Sequence, residues 1–175
     1  MFENLPEGHM LTTLFKEHEQ ILHKLDELEK TAEMLSTVDA DARVDFLKKA
    51  NGLVSEVLGA EPHHQREEEV LFPAIEELGI AGPPNMMRRE HDMMRQTKHA
   101  LEESTRELSG HWPSQLSTIE VLTEELCTTL RHHIYKEDNI LYPMALDAIE
   151  SQEQWANMKA ECDRIGYCSF YTPET

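Results

Sequence analysis

Two segments of this chain carry the same pattern seventy residues apart. In the first, His63-x-x-x-Glu67 is followed by Leu71-Phe72-Pro73; in the second, His133-x-x-x-Glu137 is followed by Leu141-Tyr142-Pro143. Proline stands ten residues after the histidine in both. Residues i and i+4 lie one above the other on a helix, so each His-Glu pair presents an imidazole and a carboxylate to one side. A single H-x-x-x-E means little in a chain with ten histidines. Histidine, glutamate, leucine, aromatic and proline recurring in phase means more: each half of the chain builds the same inward-facing pair.

The composition around the motif is helical. Leu, Met, Glu, Lys and Ala dominate, β-branched runs are absent, and Gly and Pro fall at a few places. The spacing predicts a first helix from about Glu7 to Leu35, with Leu11, Leu14, His18, Ile21, Leu25, Leu28 and Ala32 on one face. A second helical region covers about Ala40 to Leu78, with a kink or short break near Gly59 and Pro62. Beyond the break His63, Glu67, Val70, Ala74 and Leu78 share a face. The run Gly79-Ile80-Ala81-Gly82-Pro83-Pro84 ends it. A third helix from about Pro84 to Ser109 carries Met87, Met94, Leu101 and Leu108, with His91 on the flank of that ladder. A fourth, from about Ser114 to Ile149, has the stripe Ile119, Leu122, Leu126, Leu130, His133, Glu137, Ile140, Met144 and Ala148. A short fifth helix over about Gln152 to Arg164 leads into an irregular tail.

The halves repeat more widely than the motif. Lys16-Glu17-His18-Glu19 resembles Arg89-Glu90-His91-Asp92, and each precedes its H-x-x-x-E segment, by 45 residues in one half and 42 in the other. Two helical hairpins, about 7–78 and 84–149, predict an all-α chain: an antiparallel up-down four-helix bundle in a single domain over 1–175, with residues 150–175 as a tail.

His18 lies within the apolar stripe of the first helix, and His91 supplies one imidazole from the third. With the two motif pairs, His18, His63, Glu67, His91, His133 and Glu137 converge on one core. Two carboxylates there are costly without cations. Imidazole and carboxylate together suit iron, manganese or zinc. The twofold repetition points to two metal ions bridged by the glutamates. Two alternatives stay open. His64 and Glu68 form a shadow pair rotated by about 100°; the distance to Pro73 selects His63 and Glu67 and puts His64 on the flank. Asp138 competes with Glu137, and the repeat favours Glu137.

Other features exclude more than they assign. Asp and Glu total 34 against 16 Lys and Arg, a formal charge of −18. That disfavours nucleic acid and anionic membranes as partners. No apolar run approaches the roughly 20 residues of a membrane span. The opening residues Met1 to Glu7 lack the basic and apolar regions of a leader. Cys127, Cys162 and Cys168 form no C-x-x-C and read as reduced thiols in a cytoplasmic chain. His23, His99, His111 and His132 read as surface residues, His9 as lying over one end of the bundle or in solvent, and Tyr135 as packing.

From about Leu11 to Ile149 the chain resembles the hemerythrin-like HHE cation-binding family. The resemblance rests on Glu17-His18, His63-x-x-x-Glu67 with Leu71-Phe72-Pro73, Glu90-His91, and His133-x-x-x-Glu137 with Leu141-Tyr142-Pro143. It implies a non-haem di-iron site with histidines as terminal ligands and carboxylates bridging, and chemistry with O2, NO or peroxide. Oxygen-carrying members have a further histidine four residues after the third-helix ligand; here that position is Arg95. The set of four His and two Glu looks more like the members linked to iron–sulfur cluster repair, which also carry a cysteine-bearing N-terminal segment not seen in this sequence. Three functions are therefore expected in order: binding of or reaction with a small diatomic or peroxide, iron handling for cluster repair or storage, and a structural module with an inert metal. Ferritin-type sites fit less well, because they use E-x-x-H.

Overall fold

The computed structural model describes Leu5, Pro6 and residues 8–172. The expected helix start at Glu7, and most of the opening stretch read for a leader, lie outside the described residues. Among these residues the chain is all-helical with no strand. It has the expected architecture, a hemerythrin-like four-helix bundle with an added C-terminal helix.

Helix α1 runs Met10–Thr37. The ring of His9 opens it, Nδ1 accepting from the Leu11 N–H at 3.2 Å, so one of the orphan donors of the first turn is satisfied. Leu11, Leu14, His18, Ile21, Leu25, Leu28, Ala32 and Leu35 are all buried, at helical spacing. Helix α2 (Arg43–Leu58) ends before Gly59, and α3 (Glu61–Arg66) begins immediately after the break. Pro62 stands in the first turn of α3, where its missing N–H costs no hydrogen bond. What was expected as a kink or break is thus a clean break.

After α3 the helix does not continue as α. A π segment, Glu67–Leu71, follows, and then α4 (Phe72–Glu76). The second half repeats this: α6 (Trp112–Lys136), a π segment Glu137–Leu141, then α7 (Tyr142–Ala148). In both, the N–H of the aromatic residue donates five residues back, Phe72 to the Glu67 carbonyl and Tyr142 to the Glu137 carbonyl. Proline next in the chain has no N–H to give, and its ring would crowd the carbonyl four residues earlier. Widening the turn relieves that conflict, and such π turns concentrate at functional sites. The widening shifts the buried face by one residue. In the second half Ile140, expected inside, is 51% exposed, while Leu141 and Ala145 are buried instead; in the first half Val70 and Ala74 are buried as expected, Leu71 and Ile75 join them, and Leu78, beyond the end of α4, is 49% exposed. Met144 and Ala148 are only half-buried for the same reason.

Helix α5 is Gly82–Arg106, and it buries Met87, Met94 and Leu101 as expected. Leu108 lies beyond its end and is exposed. Helix α8 is Gln152–Ile165, capped by the Ser151 hydroxyl, which accepts from the Gln154 N–H at 3.2 Å.

The chain forms two compact units, and neither is a hairpin. One comprises the stretch through Gln20, Gly59–His91 and everything from His132 on; the other comprises Ile21–Leu58 and Asp92–Arg131. Every candidate metal ligand falls in the first. Its apolar core includes Leu11, Leu14, Leu71, Phe72, Tyr142 and Trp155, each large side chain contributing about 1.5–3 kcal/mol by burial. No described helix is long and apolar enough to cross a membrane.

Candidate metal centre

The six candidate residues lie together and are buried: His18 on α1, His63 on α3, Glu67 and Glu137 at the starts of the two π segments, His91 on α5 and His133 on α6. Their rings and carboxylates converge. His18 and His63 have ring centroids 4.6 Å apart, as do His91 and His133. Glu137 reaches both pairs: Oε1 is 2.8 Å from His133 Nε2, and Oε2 is 3.2 Å from His18 Nε2. Glu67 Oε2 stands 3.7 Å from His63 Nε2 and 3.5 Å from His91 Nε2.

Each imidazole is oriented from behind by a carboxylate. His63 Nδ1–H donates to Glu17 Oε2 at 2.8 Å, and His133 Nδ1–H to Glu90 Oε2 at 2.8 Å. His18 Nδ1–H donates to Asp138 Oδ1 at 2.8 Å, and His91 Nδ1–H to Glu68 Oε1 at 2.6 Å. The partners follow the repeat: the glutamate preceding His18 or His91 holds the motif histidine, and the acid five residues after the motif histidine holds the ring from the other half. Such carboxylate–histidine pairs fix the tautomer and leave Nε2 facing the metal. Asp138, the alternative to Glu137 as a ligand, is placed behind His18 instead.

The centre has the electrostatics of a site made for cations. Burial opposes charge on His18, but its hydrogen bond to Asp138 and the nearby Glu137 carboxylate outweigh it and push the imidazole up to about 10. Burial pulls His63 down to about 4, so its ring is neutral. Burial and the neighbouring Glu137 charge push Glu67 up. On Glu137 burial is outweighed by the facing His133, His18 and His91 imidazoles, and its carboxyl is held low. No hydrogen bond of good geometry reaches His63 Nε2, Glu67 Oε2 or either oxygen of Glu137. Buried atoms of this kind need a partner, and imidazole nitrogens with carboxylate oxygens are the donor set of iron, manganese and zinc. The residues present fit a metal.

A second layer supports the first. Glu17, fully buried, also accepts from the Arg66 guanidinium and, at 3.2 Å through Oε1, from the Cys168 backbone N–H. Burial would raise its carboxyl, but His63 and Arg66 hold it down to about 2. Arg66 lies over the Tyr167 ring at 4.8 Å. Glu90 accepts from Lys136 as well as from His133. Tyr142 donates its hydroxyl to Glu67 Oε1 at 2.7 Å.

Sequence reasoning overlooked several residues, and it read Tyr135 as packing where the side chain is exposed. His64, expected on the flank, is buried and stacks on His91 with centroids 4.0 Å apart and planes 16° apart. A 100° turn away from His63 on α3 leads not to solvent but to the face of α5. Glu17, Glu90 and Arg66 had no assigned role, although the repeated Glu-His dipeptide was a signal for the first two. Tyr135 is exposed, as are His23, His99, His111 and His132. His9 packs on Trp155 with centroids 4.6 Å apart.

Comparison with known proteins agrees with the geometry. Residues 9–166 match the Hemerythrin HHE cation binding domain. The iron-sulfur cluster repair protein YtfE of Cronobacter sakazakii is 32% identical over 141 residues, 76% of this chain and 62% of that protein. YtfE of Yersinia pseudotuberculosis (serotype O:1b) is 28% identical over 138 residues, 74% of this chain and 61% of its own length. A probable iron-sulfur cluster repair protein of Haemophilus influenzae is 26% identical over 148 residues, 79% and 63% of the two chains. The chain thus spans 61–63% of the length of these relatives. Since the matched region takes in every helix of the fold and all six candidate ligands, the chain belongs to the hemerythrin HHE cation-binding domain family.

Proposed function

We propose that this chain carries a non-haem di-iron centre held by His18, His63, Glu67, His91, His133 and Glu137, and that the centre binds or reacts with O2, NO or peroxide. The observation that carries this reading is Glu137. Its two oxygens face imidazoles of different pairs, His133 and His18, as a carboxylate shared by two ions does. Glu67, between His63 and His91, supports the same reading. Bound iron would supply a redox-active ion with a coordination position that a small ligand can take. The chain's own residues would orient the imidazoles through Glu17, Glu90, Glu68 and Asp138, exclude water, and hold a proton on the Tyr142 hydroxyl beside Glu67.

Anaerobic purification, iron analysis, and absorption spectra before and after admission of air or NO test it. About two iron ions per chain, with near-ultraviolet charge-transfer bands appearing on oxidation, support the reading. A colourless protein with less than one tightly held metal contradicts it.

A second reading follows from the relatives, which are iron-sulfur cluster repair proteins. Here the iron is cargo delivered to a damaged cluster. Transfer of iron to an apo iron–sulfur acceptor, followed by cluster absorption, separates it from the first: stoichiometric loss of iron to the acceptor favours delivery, and retention favours a resident centre.

A further inference from the structure

The segment beyond the second hairpin lies outside the repeat, and it closes on the metal centre at one place. Helix α8 buries Trp155, Met158 and Cys162, at helical spacing, in the core that also holds Leu11 and Leu14. The Trp155 indole N–H donates to the Ile149 carbonyl at 3.0 Å and anchors the first turn. At the other end Gly166 has φ +97° and ψ −171°, a region essentially restricted to glycine. A Cβ added there would meet nothing within 4 Å, so the demand is on backbone conformation and not on space.

That turn delivers Tyr167 and Cys168 to the back of His63. Tyr167 donates its hydroxyl to Asp163, one helical turn earlier, and its ring lies under the Arg66 guanidinium. The Cys168 N–H donates to Glu17 Oε1, and the Cys168 sulfur lies within 4.8 Å of a Glu17 oxygen and of a His63 ring nitrogen. Glu17 Oε2 already accepts from His63 and Arg66, so Cys168 supplies the donor to the other oxygen. A buried carboxylate needs such donors to stay in place. The corresponding brace is built without a tail. Arg66 and Lys136 each stand three residues after a motif histidine, and each pairs with the glutamate behind it. Glu90, however, is 16% exposed and draws on solvent, whereas Glu17 is fully buried and draws on Cys168.

We propose that Gly166, Tyr167 and Cys168 are positioning residues of the metal centre: docked, they fix Glu17 and through it the His63 ring, and iron at the position served by His63 is retained or released as this segment docks or leaves. The inference rests on the di-iron reading above. With the segment away, Glu17 Oε1 exchanges a fixed donor for water, Arg66 loses the ring beneath it, and the carboxylate is free to turn from the His63 Nδ1–H. An imidazole without its carboxylate partner is a weaker and less oriented ligand. The Glu90–His133 pair makes no use of this segment, so the effect is confined to one of the two irons.

The test uses the full iron-loaded chain and follows two rates: capture of ferrous iron by a chromogenic chelator, and alkylation of Cys168, located by peptide mass spectrometry. In the parent both should be slow. Gly166→Ala, Gly166→Val and, independently, Tyr167→Ala should speed Cys168 labelling. They should also release one iron about tenfold faster while the second leaves at the parent's rate, since losing such a partner costs roughly 10–100-fold in metal affinity. Glu17→Gln should speed the same phase. Gly166→Ala should then add little to it, because a residue acting through another is not additive with it. If neither Gly166 variant folds, Tyr167→Ala answers alone, since it leaves the backbone turn its glycine. Rapid Cys168 labelling with unchanged iron release overturns the inference. So does equal acceleration of both irons, which a merely structural tail would give, or full additivity with Glu17→Gln. Labelling as slow as the parent's in every variant also overturns it. Each of these outcomes in a parent holding two irons leaves the di-iron reading standing; fewer than two irons in the parent overturns both.

Discussion

The Nε2 atoms of His91 and His133 stand 2.8 Å apart, and the Nδ1–H of each ring is already committed to a carboxylate. In their neutral forms both Nε2 atoms are then lone pairs facing one another. Something positive has to lie between them: a proton in the metal-free chain, a metal ion in the loaded one. Metal uptake should therefore release protons, and binding should tighten as pH rises. Anaerobic addition of ferrous iron in weak buffer, followed with a pH indicator, measures this directly. Uptake without acidification would contradict the arrangement.

The same groups set the pH dependence of the metal-free fold. His18 is raised from 6.5 to about 10, so its contribution is complete below 6.5 and is lost as pH rises toward 10. His63 is lowered from 6.5 to about 4, so the unfolded chain takes up its proton first, and stability falls as pH drops from 6.5 toward 4. Metal-free protein should be most stable near pH 6.5 and weaken in both directions. Iron-loaded protein should lose the alkaline decline, because its histidines are already deprotonated. Thermal melts across pH, with and without chelator, check both curves; coincident curves would place the metal outside this cluster.

Glu17 and Glu90 hold corresponding histidines, yet their loss should differ. Glu17 also neutralises Arg66, and both are buried. Glu17→Ala leaves a guanidinium unpaired in the core, expected to cost about 3–5 kcal/mol. Glu90 shares its charge with Lys136 nearer the surface, so Glu90→Ala should cost about 1 kcal/mol or less from that ion pair. Metal affinity should fall roughly 10–100-fold in both, since each removes the brace of one imidazole. Chemical denaturation and metal competition assays separate the two effects.

Much of this was legible in the sequence, for a physical reason. Helices with one apolar face write that face at intervals of three and four, and buried ligands continue it, so His18, His63 and His133 stood out. What failed was the assumption of a constant 3.6-residue turn. It put Ile140 inside, where a widened turn had moved the buried face on by one, and it ran the helix on to Leu78, two residues past the end of α4. The flank position of His64 told nothing of its neighbour: another helix packs there, and α5 brings His91 to it. The bracing acids Glu17, Glu90, Glu68 and Asp138 act across helices, and periodicity within one helix carries no trace of that.

Among single-site variants, His63→Ala and His133→Ala should each lose at least one metal, having removed a ligand from one position. Glu67→Ala and Glu137→Ala should disturb both metals, because each carboxylate stands between imidazoles of different pairs. Metal counts against folded protein, verified by circular dichroism, decide the matter. Loss of only one ion in Glu137→Ala would show that it serves one position.

The three cysteines are buried and free. Burial pushes the Cys127 and Cys162 thiols up to about 12 and Cys168 higher still. Thiolate is the reactive form, so the folded protein should resist alkylation at neutral pH and label at all three sites once unfolded. Rapid labelling of native protein would contradict this burial.

The two π segments also speak to ancestry. Each begins at the candidate bridging glutamate and ends one residue before the aromatic-proline pair. A wide turn gained separately in each half would have had to arise twice at the same register. A hairpin that already carried it before being doubled accounts for both copies in one event. In that order of descent the ancestral hairpin, paired with a second copy of itself, would have had all six candidate ligands related in three pairs by an exact dyad: His18 with His91, His63 with His133, and Glu67 with Glu137. The differences at positions 64 and 134, and at 72 and 142, would then be later departures from a symmetric ancestor.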